Sequence, residues 1–312
     1  MDVVLLFPGQ GSQKPGMAKD LAAASHAACH VFELVDRSLG AELSKLTFEG
    51  PDEQLTETQN AQPALLAHGA AAWAMVKEEV APHVRAAAGH SLGEFTAYYA
   101  AGSMGLTEAA ALVRRRGELM FDSGCKRPGA MAAILGLDEA KAEDACRQAS
   151  NDGGVVVPAN YNTPEQLVIS GEIAAVERAM EIAKSLGAKR AVRLKVSGAF
   201  HSPLMDVARD GLRQALENVE FVPPAFPIYS NVSARPVTEA AVARRLLLEQ
   251  LTSPVRWTDV VRALTASFPD ALFVEMGPGN VLTNLTKRIA PGVTTATCGT
   301  APEVEQLLTK IA

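Results

Sequence analysis

"AAAGHSLGEF", residues 86–95, decides how the rest of the chain is read. Apolar residues run into Gly89-His90-Ser91-Leu92-Gly93, and a helix-like run follows. One reading is a nucleophile elbow. A strand ends, the chain turns sharply, and a helix begins, leaving a serine with a strained backbone and an exposed hydroxyl. The flanking glycines then make room for the turn and for close helix–strand packing. The plainer reading makes Ser91 the N-cap of an ordinary helix. G-x-S-x-G recurs by chance, so the motif alone does not separate the two.

The surroundings fit a strand–turn–helix setting. Val84 to Ala88 is a short apolar run ahead of the motif, and Val3 to Phe7 is another that stops at Pro8-Gly9. The Ala-rich segment Ala61 to Val80 reads as a helix starting near Pro63. Thr107 to Asp122 reads as a helix with Thr107 as N-cap and Gly124 closing it. Leu272 to Glu275 is a further strand, after which Gly277-Pro278-Gly279 turns the chain into a helix through Arg288. Strands alternating with helices predict an α/β core with a mostly parallel sheet, and with the elbow this part is α/β-hydrolase-like.

The middle of the chain has a different order. Met131 to Leu135 reads as a strand and Asp138 to Ser150 as a helix. Gly154 to Pro158 and Gln166 to Ser170 are strands around the turn "NYNTPE". Ile173 to Leu186 is a helix and Arg190 to Val196 an alternating strand. This β-α-β-β-α-β order predicts an inserted ferredoxin-like small domain. The expected division is 128–197 for the small domain, with 1–127 and 198–312 forming the large one.

Composition narrows the function classes. The chain has 312 residues, 48% of them hydrophobic, enough for a sizeable core. Its 29 Lys and Arg against 35 Asp and Glu leave a net charge of −6. No basic run suits nucleic acid, and no apolar run suits a membrane span. The N-terminus "MDVVLLFPGQ" has no basic n-region and reads as a strand rather than a signal peptide. Cys29, Cys125, Cys146 and Cys298 show no C-x-x-C and suit reduced thiols of a cytoplasmic protein. The six histidines show no metal-ligand spacing, so no metal site is expected.

A serine nucleophile needs a base, and His201 in "VSGAFHSPLM" is the best placed. It follows a strand, and Ser202-Pro203 looks like the start of a helix. The alternative is a surface loop histidine. The first loop, "FPGQGSQKPG", does not complete a dinucleotide fingerprint, because Lys14 stands where the third glycine belongs. Its N–H groups can instead face developing negative charge. An acyl-transfer site uses two such donors, one on the residue after the nucleophile, here Leu92. Gln10 can supply the other. On a helical wheel, Arg116 falls in the middle of the stripe formed by Ala109, Leu112, Val113, Leu119 and Met120. Arg114 points away beside Glu118, and Arg115 lies at the flank. A buried arginine needs an anion. That anion is either a structural Asp or Glu, or a substrate carboxylate held by the guanidinium fork.

"FPGQGSQ" (7–13), "QPALL" (62–66), "GHSLGE" (89–94), "RRGELM" (115–120), "GAMAAILGL" (129–137), "NYNTPEQLVISG" (160–171), "VSGAFHSPLM" (196–205), "SPVRW" (253–257) and "EMGPGNVLTNLTKRI" (275–289) follow one another in this order. In these segments the chain resembles the malonyl-CoA:acyl carrier protein transacylase family along essentially its whole length. The resemblance implies that Ser91 accepts the acyl group, His201 is its base and Arg116 binds the malonyl carboxylate. It implies an oxyanion hole from the N–H groups of Gln10 and Leu92, with Gln62 as a pocket neighbour. It also implies that a backbone carbonyl, at Ser253, orients the histidine in place of an Asp. Phe200, before the histidine, resembles the malonyl-selective versions and should disfavour an α-methyl branch. The expected partners are malonyl-CoA and acyl carrier protein, with no metal or redox cofactor. Alternatives are a discrete acyltransferase of polyketide synthesis, an α/β-hydrolase esterase or thioesterase, and a non-catalytic carrier-protein binder. The basic pairs Lys189-Arg190 and Lys287-Arg288 are candidates for steering an acidic carrier protein.

Overall fold

The computed structural model describes residues 1–311. Its ten strands are β1 (Val3–Phe7), β2 (Val84–Gly89), β3 (Gly129–Leu135), β4 (Val156–Thr163), β5 (Gln166–Glu172), β6 (Arg190–Arg193), β7 (Ile228–Tyr229), β8 (Pro236–Val237), β9 (Leu272–Met276) and β10 (Thr295–Cys298). They form two sheets. The six-stranded sheet has the order β10-β9-β1-β2-β7-β8 and is parallel except for its last pair. The four-stranded sheet has the order β4-β5-β3-β6 and is antiparallel throughout. The mostly parallel α/β architecture matches the pattern expected from the sequence.

All five residues of β1 are buried because the large sheet is covered on both faces. Val3, Leu5 and Phe7 point into a core shared with the helices His26–Leu39, Thr58–Val80 and Leu106–Lys126. Val4 and Leu6 point the other way, onto Trp257, Val260, Val261 and Leu264. Each fully buried Val, Leu or Phe contributes about 1.5–3 kcal/mol, so β1 anchors both layers. The small sheet has its own core, where Ala132, Ile134, Leu167 and Ile169 meet Ala145, Val176 and Ala179. Among the described residues, no helix is long and apolar enough to cross a membrane.

Several element boundaries differ from those expected. The Ala-rich helix begins at Thr58, not near Pro63. The Glu57 carbonyl already accepts from the N–H groups of Asn60 and Ala61, so a turn is closed before the proline. The helix around Arg116 starts at Leu106 with Gly105 as N-cap, and the Thr107 hydroxyl turns to Glu108 instead of capping. Gly124 does not end it. A side chain there would strike the Ser197 backbone, so this glycine permits a close contact inside the helix. β4 runs through Thr163, leaving Pro164-Glu165 as the turn. Asn160 to Asn162 look like turn formers, but Asn160 and Tyr161 pair with β5, Asn162 sits at an irregularity in that pairing, and Asn160 also bridges to Val255. β6 stops at Arg193, and Leu194 to Val196 leave the strand to border a cleft.

The turn after β2 depends on two glycines. A Cβ at Gly93 would collide with the Phe7 carbonyl, and one at Gly89 with the backbone of Gly93 and Glu94. The helix therefore rests directly on the backbone of β1. Backbone cannot move aside as a flexible side chain can, so Gly93→Ala should cost about 3 kcal/mol or more, the upper end for overpacking. Gly102, at φ 72° with open space around its Cα, should cost only about 1–2 kcal/mol on the same change. Urea unfolding of the two variants tests this, and equal losses would contradict the packing argument.

Candidate active site

Ser91 stands at the N-cap position of the helix Leu92–Ala100 but caps nothing. Its φ of 50° and ψ of −103° lie outside the regions that non-glycine residues favour. Such a conformation costs about 1–3 kcal/mol and persists only where the surroundings hold it. Here the side chain of Asn231 holds it. Its Oδ1 accepts from the Ser91 N–H at 2.7 Å, and its Nδ2 donates to the Gly89 carbonyl at 2.7 Å. The Ser91 carbonyl accepts from Gln250 Nε2 at 3.0 Å. The elbow is therefore braced on both sides by side chains far away in sequence.

The Ser91 hydroxyl lies 2.8 Å from His201 Nε2. His201 is only 4% exposed, which overturns the surface-loop alternative. Its Nδ1 faces the carbonyls of Gln250 at 2.9 Å and Ser253 at 3.2 Å. Two acceptors at Nδ1 place the proton there and leave Nε2 with a lone pair toward the serine. The Gln250 carbonyl, which the sequence did not reveal, is the nearer of the two. Ser202 caps the following 3₁₀ turn, Pro203–Ala208, by accepting from the Leu204 N–H. Burial, and then the charge of Arg116, push the His201 pKa down to about 3, so the imidazole is neutral at neutral pH.

Arg116 is buried, as its place on the apolar stripe predicts. Its Nη1 donates to Gln62 Oε1 at 2.7 Å. Its Nη2 donates to Gln250 Oε1 at 2.9 Å and to the Ser91 hydroxyl at 3.0 Å. The guanidinium carbon lies 5.2 Å from the Phe95 ring centre. Among the described residues no carboxylate forms an ion pair with it, and its Nε has no acceptor. Burying an ion costs several kcal/mol. Hydrogen bonds from a charged donor return about 1.5–3 kcal/mol each, so three of them sustain the charge. Burial lowers its pKa to about 10, and it remains a cation at neutral pH. Its neighbours follow the helical wheel in part. Arg114 donates to Asn60 and lies within reach of the Glu118 charge, but Arg115 makes the ion pair with Glu118.

A cleft of about 340 Å³ opens over these groups. Gln10, Ser91, Leu92, Arg116, Phe200 and His201 line it, together with Met131, Asn160 and Leu194 to Val196 beside the small sheet. Gln62 stands behind Arg116, and its Nε2 is 3.3 Å from Met120 Sδ. Among the described residues the N–H groups of Gln10 and Leu92 have no protein acceptor. The arrangement offers a nucleophile, a neutral base, free backbone donors and a buried cation around one small space. That combination suits acyl transfer of a group carrying a carboxylate.

Three contributors escaped the sequence reading. Gln250 ends a helix in "LLLEQLTSPVRW" and Asn231 sits in a loop, and neither belongs to a local pattern. Glu94 reads as an acidic residue in a helix's first turn, yet it is fully buried. His90, beside the serine, also borders the cleft. Its Nε2 lies 2.9 Å from Asn162 Oδ1, and its ring centre is 5.6 Å from that of Trp257.

Comparison with known proteins places this site in context. The model of the acyl transferase domain matches residues 4–303. The chain is 44% identical over 288 residues to the malonyl CoA-acyl carrier protein transacylase of Bacillus subtilis (strain 168), covering 92% of this chain and 90% of that protein. The acyl-carrier-protein-S-malonyltransferase of Bartonella henselae superimposes with a TM-score of 0.95 at 42% identity, covering 100% of this chain and 99% of that one. A malonyl-transacylase solved in complex with its type II PKS acyl-carrier protein also gives a TM-score of 0.95, at 40% identity, covering 99% and 100%.

The lowered pKa of His201 has a measurable consequence. A base with a pKa of about 3 stays deprotonated as pH falls from 8 to 5. Labelling of Ser91 by a sulfonyl fluoride should therefore keep its rate over that range. A fall with a midpoint near the unperturbed histidine value of about 6.5 would show that the imidazole is not held neutral by its surroundings.

Proposed function

The chain belongs to the acyl transferase domain family and, within it, to the malonyl-CoA:acyl carrier protein transacylases, and from that membership we propose which of its residues carry the reaction. The enzyme moves a malonyl group from malonyl-CoA to the phosphopantetheine thiol of acyl carrier protein. The observation that carries the assignment is the Ser91 hydroxyl, 2.8 Å from His201 Nε2 and 3.0 Å from Arg116 Nη2 in one cleft.

Ser91 attacks the thioester carbonyl while His201 Nε2 takes the hydroxyl proton. The N–H groups of Gln10 and Leu92 receive the developing oxyanion. The C–S bond then breaks, the proton passes from His201 to the CoA sulfur, and a malonyl-serine ester remains. In the second half, the phosphopantetheine thiol gives its proton to His201 and attacks the ester. Ser91 leaves and recovers the proton. The carbonyls of Gln250 and Ser253 hold the imidazole tautomer through both halves. They do so without adding a negative charge next to the base, and this favours a transferase over a triad hydrolase with an acidic third member. Arg116 holds the malonyl carboxylate, and Gln62 keeps the guanidinium aimed. Phe200, buried in the cleft wall, takes up the space an α-methyl branch would need.

The small sheet supports a reading as an inserted ferredoxin-like domain, 128–197. It has the β-α-β-β-α-β order, the strand order β4-β5-β3-β6 and a core of its own. Residues 1–127 and 198–312 form the α/β-hydrolase-like part, with the elbow on its parallel sheet. The four unpaired cysteines fit a cytoplasmic enzyme. Lys189 from one of the basic pairs singled out in the sequence and both members of the other, Lys287 and Arg288, border one surface cleft with Thr163 and the acidic Glu165. β4 links this cleft to Asn160 in the reaction cleft, three residues or about 10 Å away at ~3.3 Å per residue. A protein with net charge −6 attracts an acidic carrier protein only through such a local patch.

Two measurements test this reading. Arg116→Ala should lower malonyl transfer a hundredfold or more, in line with the roughly 3–5 kcal/mol lost when one member of a buried charge pair is removed. Acetyl transfer should fall far less. An unchanged malonyl-to-acetyl ratio of kcat/KM in a folded variant would make Arg116 purely structural. Reversing Lys287 and Arg288 to Glu should raise KM for the carrier protein about tenfold, at the low end of electrostatic steering effects, and leave KM for malonyl-CoA unchanged. Equal effects on both substrates, or none, would reject the patch.

A further inference from the structure

Glu94 has no part in the steps above, yet it is the buried carboxyl nearest in connection to Arg116. One side-chain amide separates them. Gln250 Oε1 accepts from Arg116 Nη2 at 2.9 Å, and Gln250 Nε2 donates to Glu94 Oε2 at 2.7 Å. The Asn231 N–H also donates to Oε2, at 3.2 Å. Both bonds fall on the same oxygen. The other, Oε1, is buried with no partner in hydrogen-bond geometry, although the Ser230 hydroxyl is near enough to the carboxyl to favour its charged form, and it is the oxygen open to a proton. A lone buried carboxylate is costly, as is a lone buried guanidinium. Across the Gln250 amide each offsets the other.

A malonyl group brings a second negative charge to Arg116. Two carboxylates then share one cation in a water-poor site, where like charges disfavour ionisation. We propose that Glu94 is the charge-balancing residue of this site: it offsets Arg116 in the free enzyme and takes up a proton when the malonyl carboxylate reaches Arg116. The inference rests on the assignment of Arg116 to that carboxylate. The loading step stays balanced. The serine proton leaves on the CoA thiol, and the proton gained by Glu94 comes from solvent.

The groups facing Glu94 permit this. From its own helix comes Tyr98, whose phenol is held neutral by burial and by the Glu94 charge. The neutral Ser230 and Asn231 come from the loop after β7, and Gln250 from the end of the helix Ala240–Glu249. Arg116 is the one cation acting on it. Burial raises the Glu94 pKa to about 7, against the hydrogen bonds and Arg116 that lower it. The free enzyme therefore holds a mixture of both forms near neutrality. His201, with its pKa pushed down to about 3, does not titrate in this window. The sign follows from linkage. A ligand that raises a group's pKa binds with proton uptake, so its affinity falls as pH rises through the free-state value.

Loading of Ser91 from malonyl-CoA and from acetyl-CoA, compared from pH 6 to 8.5, tests the proposal. Titration of CoA itself cancels in the ratio. The malonyl-to-acetyl ratio of kcat/KM should fall above about pH 7 by up to tenfold per pH unit, the limit for one linked proton. In Glu94→Gln the ratio should be flat. A pH indicator should also record proton uptake when the wild-type enzyme is loaded with malonyl-CoA at pH 7.5, and none with acetyl-CoA. This second measurement holds even if the variant fails to fold. A flat wild-type ratio, an unchanged slope in Glu94→Gln, or equal proton uptake from both substrates would overturn the proposal. Arg116→Ala separates the two levels. If it leaves the ratio unchanged at every pH, the carboxylate assignment itself fails. If it collapses a wild-type ratio that is flat with pH, only the role of Glu94 fails.

Discussion

A buried guanidinium with no carboxylate in contact is the constraint around which this molecule is arranged. Arg116 has to lie on the apolar face of its helix to reach the cleft, and there it has to remain charged without an ion pair that would fill its fork. The structure meets the two demands with amide oxygens. Gln62 and Gln250 accept from it, and Ser91 takes the remaining bond on the cleft side. Amide dipoles offset the charge while leaving it available to an anion. An Asp or Glu in direct contact would have stabilised the fold at the expense of the site.

Gln250 joins the separate parts. Its side chain touches Arg116, Glu94 and the Ser91 carbonyl, and its own carbonyl accepts from His201. Ser91, His201 and Arg116 are thus all held by one residue at the end of a helix remote from all three in sequence. The strained elbow depends on similar support. Gly89 and Gly93 let the helix settle onto β1, and Asn231 closes the turn from the far side. Local backbone strain at Ser91 is retained because the packing beneath it leaves no relaxed alternative.

What could be read in the sequence follows from how local each signal is. The elbow is a contiguous motif, so its strand, turn and helix were legible. Arg116 was legible because helical periodicity converts position directly into burial. The β-α-β-β-α-β order emerged from simple alternation, although Asn160 to Asn162 disguised the end of β4 by resembling a turn. Their polarity serves contacts at the cleft, such as that of Asn162 with His90. Gln250, Asn231 and Glu94 were not legible, because their roles exist only once distant segments meet. Even the histidine-orienting carbonyl was placed at Ser253 alone, when Gln250 lies nearer, since a backbone carbonyl leaves no trace in residue type.

The central claim is that Arg116 is kept unpaired for the substrate's carboxylate, and a structure of the malonyl-serine enzyme tests it most directly. The account predicts the free carboxylate within about 2.7–2.9 Å of guanidinium nitrogens of Arg116, the range of charge-assisted bonds, with Gln62 and Gln250 still behind it. A malonyl-serine whose carboxylate points to solvent or to another cation, with Arg116 bound only to its amides, would contradict the account.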